Sequence, residues 1–98
     1  MLLLQPRAQI QHRLDIYIAA GCYACADALA IAAVVASWKL WNLDIHIVDL
    51  DDPGTIRPQS VFAVPTYLLD GKVLSLGNPD VEEIREQISR IMEEDRCP

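Results

Sequence analysis

The 98-residue chain is long enough for one domain around one hydrophobic core. Its formal net charge of −6 argues against a surface that binds nucleic acid or an anionic membrane. The longest apolar run, residues 24–40, is interrupted by Asp27, Ser37 and Lys39 and is not predicted to span a membrane. Arginines follow the short apolar run of residues 2–4 rather than preceding it, unlike in a secretion signal, so we predict a cytoplasmic protein.

The first half of the chain predicts a strand, a long helix and a second strand. Residues 14–19 and 43–49 are rich in β-branched residues, and the second run alternates as a strand should. Residues 23–41 lie between them, contain many alanines and no glycine or proline, and predict a helix that Asn42 ends. Because this helix is apolar nearly all round, we expect it to be well buried, with a smooth stripe against the sheet formed by Leu29, Ala32, Ala33 and Ala36.

The second half predicts a loop, a hairpin and a last helix. Residues 50–62 carry turn signals and are expected to form a loop with at most one helical turn. Asp70-Gly71 separates two apolar runs, residues 66–69 and 72–76, and is typical of a two-residue hairpin turn. We expect Asn78 to cap the last helix, Pro79 to be its first residue, and its apolar stripe to be Val81, Ile84, Ile88 and Ile91.

This order predicts the α/β fold class, with a four-stranded mixed sheet built from a βαβ unit followed by ββα. Strands joined by a long helix should be parallel, and the hairpin should run antiparallel to the first strand. Residues 14–98 are expected to form the single domain, and residues 1–13 an arm or short edge strand. Both helices should share one face of the sheet, so the other face needs cover from residues 50–62, from the arm or from a homodimer partner.

Two cysteines, Cys22 and Cys25, stand where the first predicted strand gives way to the helix. Unpaired N–H groups at a helix start carry partial positive charge and favour a thiolate, which makes a cysteine nucleophilic near neutral pH. Cys25 falls on the same helix face and can close a disulfide with Cys22. In a reducing compartment such a pair is more typical of catalysis or metal binding than of a structural link.

A second segment, Val64-Pro65-Thr66 before the hairpin, makes residues 14–92 resemble the thioredoxin/glutaredoxin family. The resemblance implies a thioredoxin-like fold in which the Val64–Pro65 peptide bond is cis and Pro65 packs beside the cysteines. It also implies a thiol–disulfide oxidoreductase that needs no bound cofactor beyond its redox-active disulfide. A protein disulfide would be the substrate, and a reductase or a small thiol would donate electrons.

In that family the first cysteine attacks and the second resolves, which implies that Cys22 is the nucleophile and Cys25 the resolving cysteine. Tyr23, Val64 and Pro65 are then the expected substrate-binding residues. The chain departs from the family at the acid that thioredoxins bury before the pair, for which Asp15 is only an out-of-phase match. It also lacks the basic and Gly-Gly residues with which glutaredoxins bind glutathione, and Asp80 alone suggests a contact. We therefore expect a preference for protein disulfides.

Two other functions stay open. A non-catalytic module of the same fold would dock a partner through Val64-Pro65 and the tryptophans Trp38 and Trp41. A zinc site at the cysteine pair would need two further ligands, for which the sequence offers His12, His46 and Cys97. We expect no metal, His46 to be an ordinary core or surface residue, and Cys97 to be an exposed thiol or a site of mixed-disulfide formation.

Overall fold

Four strands and two helices follow one another in the predicted order. The computed structural model describes residues 11–96, and the side chains of residues 11–93. The elements are β1 (His12–Ile18), α1 (Ala24–Ser37), β2 (Leu43–Asp49), β3 (Thr66–Leu69), β4 (Lys72–Leu76) and α2 (Val81–Arg96). The α/β class is thereby confirmed, although β1 starts at His12 rather than Leu14. The predicted arm falls largely on residues outside the described range, and the division at residue 13 stays a prediction.

The sheet has the strand order β2-β1-β3-β4. β1 is parallel to β2 and antiparallel to β3, as the βαβ unit and the hairpin predict. Asp70 and Gly71 adopt φ angles of 54° and 85°, the two positive values that the hairpin turn requires. Because β1 and β2 are parallel, their last residues, Ile18 and Asp49, meet at one edge of the sheet. The cysteine pair follows β1 at that edge.

Both helices pack on the same face of the sheet, as predicted. The main core joins buried residues of α1 and α2 to inward-facing strand residues: Leu14, Ile16, Ala28, Ala32, Val35, Leu43, Tyr67, Leu69, Ile84 and Ile88. A smaller cluster on the other face consists of Tyr17, Val61 and Leu68. Val61 comes from the loop of residues 50–62, which contains no helical turn and covers part of that face. A homodimer stays a prediction.

The first helix is shorter and less buried than predicted. It ends at Ser37, because Lys39 turns to a φ of 54° after the N–H groups of Trp38 and Lys39 have bonded to the last turn. Only one side meets the core, so Leu29 remains 46% exposed and the predicted stripe is wrong at Leu29, Ala33 and Ala36. Asn42 does not end the helix; its carbonyl accepts the His12 N–H at 2.8 Å.

The start of the second helix also differs from the prediction. α2 begins at Val81, and Asp80 is its N-cap: the Asp80 carbonyl accepts the Ile84 N–H at 3.0 Å, and its carboxylate accepts the Glu82 N–H at 3.3 Å. Local rules predict Asn78 as the cap, because asparagine is a favoured N-cap and proline follows it. The structure uses Asn78 elsewhere. The apolar stripe is confirmed at Ile84 and Ile88, which are buried in the core, and at Ile91, which packs against it, whereas Val81 is half-buried outside the core clusters.

Candidate functional site

The cysteine pair lies at the junction of β1 and α1. Gly21 adopts a φ of 78°, a backbone conformation that glycine adopts without strain, and thereby turns the chain into the helix. Cys22 precedes the helix and is half-buried, whereas Cys25 is its second residue and only 5% exposed. Their sulfur atoms form a disulfide across a Cα–Cα distance of 5.4 Å. The Cys25 N–H also donates to the Cys22 carbonyl at 3.1 Å.

Hydrogen bonds bring the predicted proline segment to the same end of the molecule. The Pro65 carbonyl accepts the Gly77 N–H at 2.8 Å, and the neighbouring Asn78 donates through Nδ2 to the Ala24 carbonyl at 2.9 Å. Ala24 stands between the two cysteines. The site is therefore assembled from three segments: the β1–α1 junction, the residues before β3, and the connection from β4 to α2.

The predicted substrate-binding residues lie in two of these segments. The Val64–Pro65 bond is cis, as the resemblance implies. Tyr23 is 92% exposed between the cysteines, while Val64 is half-buried and Pro65 buried. Phe62, which sequence reasoning did not single out, is 69% exposed two residues before Val64. An exposed aromatic ring in each segment offers apolar contact area, although the roles of these residues stay predictions.

Sequence reasoning missed a polar link beneath the site. The Tyr67 hydroxyl donates to Oδ1 of Asn78 at 2.9 Å, while Nδ2 of the same amide donates to Ala24. Burial, with a smaller contribution from the negative charge of Asp27, raises the pKa of Tyr67 to about 12. The phenol therefore stays protonated at neutral pH and remains a donor. Tyr67 stands two positions after Pro65, but no sequence pattern pairs it with Asn78.

The acidic loop after β2 also contacts the site. Oδ2 of Asp51 accepts the Ala20 N–H at 2.5 Å, two residues before Cys22, and the Leu50 N–H bonds to the Ile18 carbonyl. Oδ1 of Asp49 accepts the Asp51 N–H at 2.9 Å and helps to fix the loop. Asp51 therefore binds the segment that leads into the cysteine pair, and Asp49 helps to hold Asp51 in place.

Two arginines of the described residues make side-chain hydrogen bonds. Nε of Arg57 donates to the Val61 carbonyl at 2.5 Å, and Arg13 Nε binds the Asp15 carboxylate at 2.7 Å. No Lys or Arg occurs in residues 14–37. A two-carboxylate ligand such as glutathione therefore finds no Lys or Arg in residues 14–37, and it would depend on Arg57 or on backbone N–H donors.

The proposed zinc ligands do not converge on the pair in the described part of the chain. His12 lies at the opposite end of β1, where its Nδ1 is 2.6 Å from Oδ2 of Asp70. Among the side chains of residues 11–93, no three or more of His, Cys, Asp or Glu form a group that could hold a metal. Cys97 is outside the described residues. Within the same range, neither helix is long and apolar enough to cross a membrane.

Comparison with known proteins adds a family assignment. A family model described as a thioredoxin domain matches residues 12–89, which include both cysteines, the cis proline, the hairpin and most of α2. A search of curated proteins found no match to the sequence.

Proposed function

The chain belongs to the thioredoxin domain family, and from that premise we propose that it is a thiol–disulfide oxidoreductase acting on protein disulfides. The observation that carries the proposal is the Cys22–Cys25 disulfide at the start of α1. The two sulfurs are close enough to exchange between a dithiol and a disulfide, and the first cysteine is the more accessible. These are the two requirements for a nucleophile and a resolving partner.

The reaction begins from the reduced pair. The Cys22 thiolate attacks one sulfur of the substrate disulfide, forms a mixed disulfide, and releases the other substrate sulfur as a thiolate that takes up a proton. Cys25 then loses its proton and attacks Sγ of Cys22, which releases the second substrate thiol. Two electrons pass from the dithiol to the substrate, and the protein is left with its Cys22–Cys25 disulfide. A reductase or small thiol returns two electrons and two protons.

The surroundings of the pair support a protein substrate. Tyr23 and Phe62 expose aromatic rings, and the family resemblance implies that an extended substrate would bond to the backbone at Val64, beside the cis Pro65. Apolar and backbone contacts suit a peptide segment, whereas glutathione also needs cationic or N–H partners for its carboxylates. Residues 14–37 contain no Lys or Arg, and Lys72 lies in the hairpin, whereas Arg57 donates to the Val61 carbonyl and keeps its charge. No cofactor enters the proposal, and a cytoplasmic location is part of it.

Reduction of insulin by dithiothreitol tests this function, because the separated chains precipitate and can be followed by turbidity. The unchanged protein should accelerate precipitation, while Cys22→Ser should abolish the acceleration. Cys25→Ser, which conserves Cys22, should slow it by leaving the mixed disulfide unresolved. Equal acceleration by Cys22→Ser would contradict the assigned nucleophile. Loss of activity with every thiol and reductase donor would favour a non-catalytic docking module.

A further inference from the structure

We infer that Asn78 is a positioning residue that holds the cysteine pair in the geometry of the disulfide. Its amide lies in the connection from β4 to α2, 54 positions from Ala24 in the sequence, yet donates to the Ala24 carbonyl at 2.9 Å. This hydrogen bond joins the connection between β4 and α2 to the first residue of α1. Asn78 does not cap α2, because Asp80 has that role.

The bonded carbonyl belongs to the peptide unit that joins Ala24 to Cys25. The N–H of that same unit donates to the Cys22 carbonyl at 3.1 Å. A peptide unit is planar, so fixing its oxygen also fixes the direction of its N–H. Asn78 therefore constrains the orientation of Cys25 relative to Cys22 through one rigid group, without touching either sulfur.

Tyr67 orients the amide that does this. Its hydroxyl donates to Oδ1 of Asn78 at 2.9 Å, which directs the Nδ2 donor towards Ala24. Tyr67 is 0% exposed and lies in the core under α1, so its ring is a fixed anchor. The link thus runs from a buried strand residue, through an exposed amide, to the backbone between the cysteines.

The link is made while the disulfide is closed. If breaking the disulfide weakens the hydrogen bond from Asn78 to Ala24, then removing that hydrogen bond must destabilise the disulfide by the same free energy, because the coupling is reciprocal. Opening the disulfide frees the Cys22–Cys25 turn and weakens the geometric match at Ala24. Removing the Asn78 amide should therefore disfavour the disulfide relative to the dithiol, which makes the pair a stronger oxidant.

The experiment measures the equilibrium constant of one balanced reaction, protein dithiol plus glutathione disulfide giving protein disulfide plus two glutathione. Alkylation and mass spectrometry report the oxidised fraction in glutathione buffers of known composition. Asn78→Ala should lower this constant roughly two- to tenfold, the range of one net hydrogen bond. Tyr67→Phe should shift it in the same direction by less, because the amide remains but loses its orienting donor.

The matched control is Ser37→Ala. The Ser37 hydroxyl donates to the Val34 carbonyl at 2.6 Å in the last turn of α1, without contact to Ala24, Tyr67 or Asn78. The substitution also removes one side-chain hydrogen bond and should leave the equilibrium constant unchanged. A constant unchanged in Asn78→Ala, or shifted equally by Ser37→Ala, would overturn the positioning role. If Asn78→Ala does not fold, Tyr67→Phe decides by the same comparison.

This inference rests on the proposed function only in requiring that the pair cycles between two redox states. The equilibrium can be measured whether or not insulin is reduced. Absent insulin turnover with a shifted constant would count against the function alone. Normal turnover with an unshifted constant would count against the role of Asn78 alone.

Discussion

The two cysteines differ in exposure, and that difference sets their expected reactivity. Cys22 is half-buried before the helix, whereas Cys25 is 5% exposed within its first turn. In the reduced protein at neutral pH, Cys22 should react with iodoacetamide several times faster than Cys25, because access and thiolate character both favour it. Peptide mass spectrometry at short reaction times gives both rates. Equal rates, or faster labelling of Cys25, would reverse the assigned roles.

Asp70, which bonds to His12 at the far end of β1, predicts a pH dependence of stability. Burial opposes the Asp70 carboxylate, but hydrogen bonds from His12 and from the Arg13 N–H, with the charges of His12 and Lys72, outweigh it and lower the pKa of Asp70. A lowered folded pKa gives stabilisation that is complete above the ordinary pKa of aspartate and is lost as the pH falls through the folded pKa.

Asp70→Asn isolates this charge, because asparagine also tolerates the positive φ of the turn. The substitution should lower the free energy of unfolding at neutral pH by about 0.5–1 kcal/mol, a modest value because the carboxylate is partly exposed. Urea titrations across the acid range should show the difference shrinking as the pH falls. A difference that stays constant down to strongly acid pH would refute the ionic origin.

Residues with a local signature were predictable from sequence, and those with a distant partner were not. The cysteines and Pro65 belong to two short sequence motifs, so their positions at the site were predictable from the spacing of those motifs and from the family resemblance. Asn78 was predicted to cap a helix because the residues next to it fit that role. Its actual partners, Ala24 and Tyr67, lie 54 and 11 positions away, and no local pattern encodes those hydrogen bonds.

At the scale of elements, the cap of α2 gives a direct test of its start. Asp80→Ala should destabilise the protein by about 0.5–2 kcal/mol, because the Glu82 N–H loses its side-chain acceptor. Asp80→Asn retains an acceptor oxygen and should conserve most of the stability. Thermal or urea unfolding of the two variants makes the comparison. If both variants lose the same stability, the contribution comes from the charge and not from the cap.

The hairpin and α1 show why some element boundaries were predictable and others were not. Asp70-Gly71 determines the hairpin turn within two residues, so its position was right. α1 ends where Lys39 enters a left-handed conformation, one residue after Trp38. Trp38 packs against the core, and the Arg85 guanidinium lies 4.9 Å from the centre of the Trp38 ring. An apolar run alone does not encode that tertiary contact, and the helix was therefore predicted too long.

For the whole molecule, the fold class and the directions of the strands followed from the succession of elements, because a parallel βαβ unit and a hairpin leave few ways to join four strands. The burial of α1 did not follow. Its sequence is apolar all round, but only one side meets the sheet, and the outer side remains exposed at Leu29 and Val34. Whether one or both sides of such a helix are covered depends on how many layers of secondary structure pack against it. The amino-acid composition of the helix does not encode that number.

Substrate preference is a property of the assembled surface. Exposed aromatic rings at Tyr23 and Phe62, and the absence of Lys and Arg from residues 14–37, favour protein disulfides. We expect a higher kcat/KM for a protein disulfide than for a glutathionylated peptide, measured with the same electron donor. A strong preference for the glutathionylated peptide would show that backbone N–H donors at Val64 and the helix start suffice to hold glutathione.

The most direct test of the account is the capture of its covalent intermediate. Cys25→Ser conserves the attacking thiol and removes the resolving one, so reduced Cys25→Ser mixed with insulin should accumulate a mixed disulfide. Peptide mass spectrometry should locate the link at Cys22, and Cys22→Ser should form no such adduct. No adduct with Cys25→Ser, or an adduct located at Cys97 in both variants, would contradict the claim that Cys22 attacks the substrate.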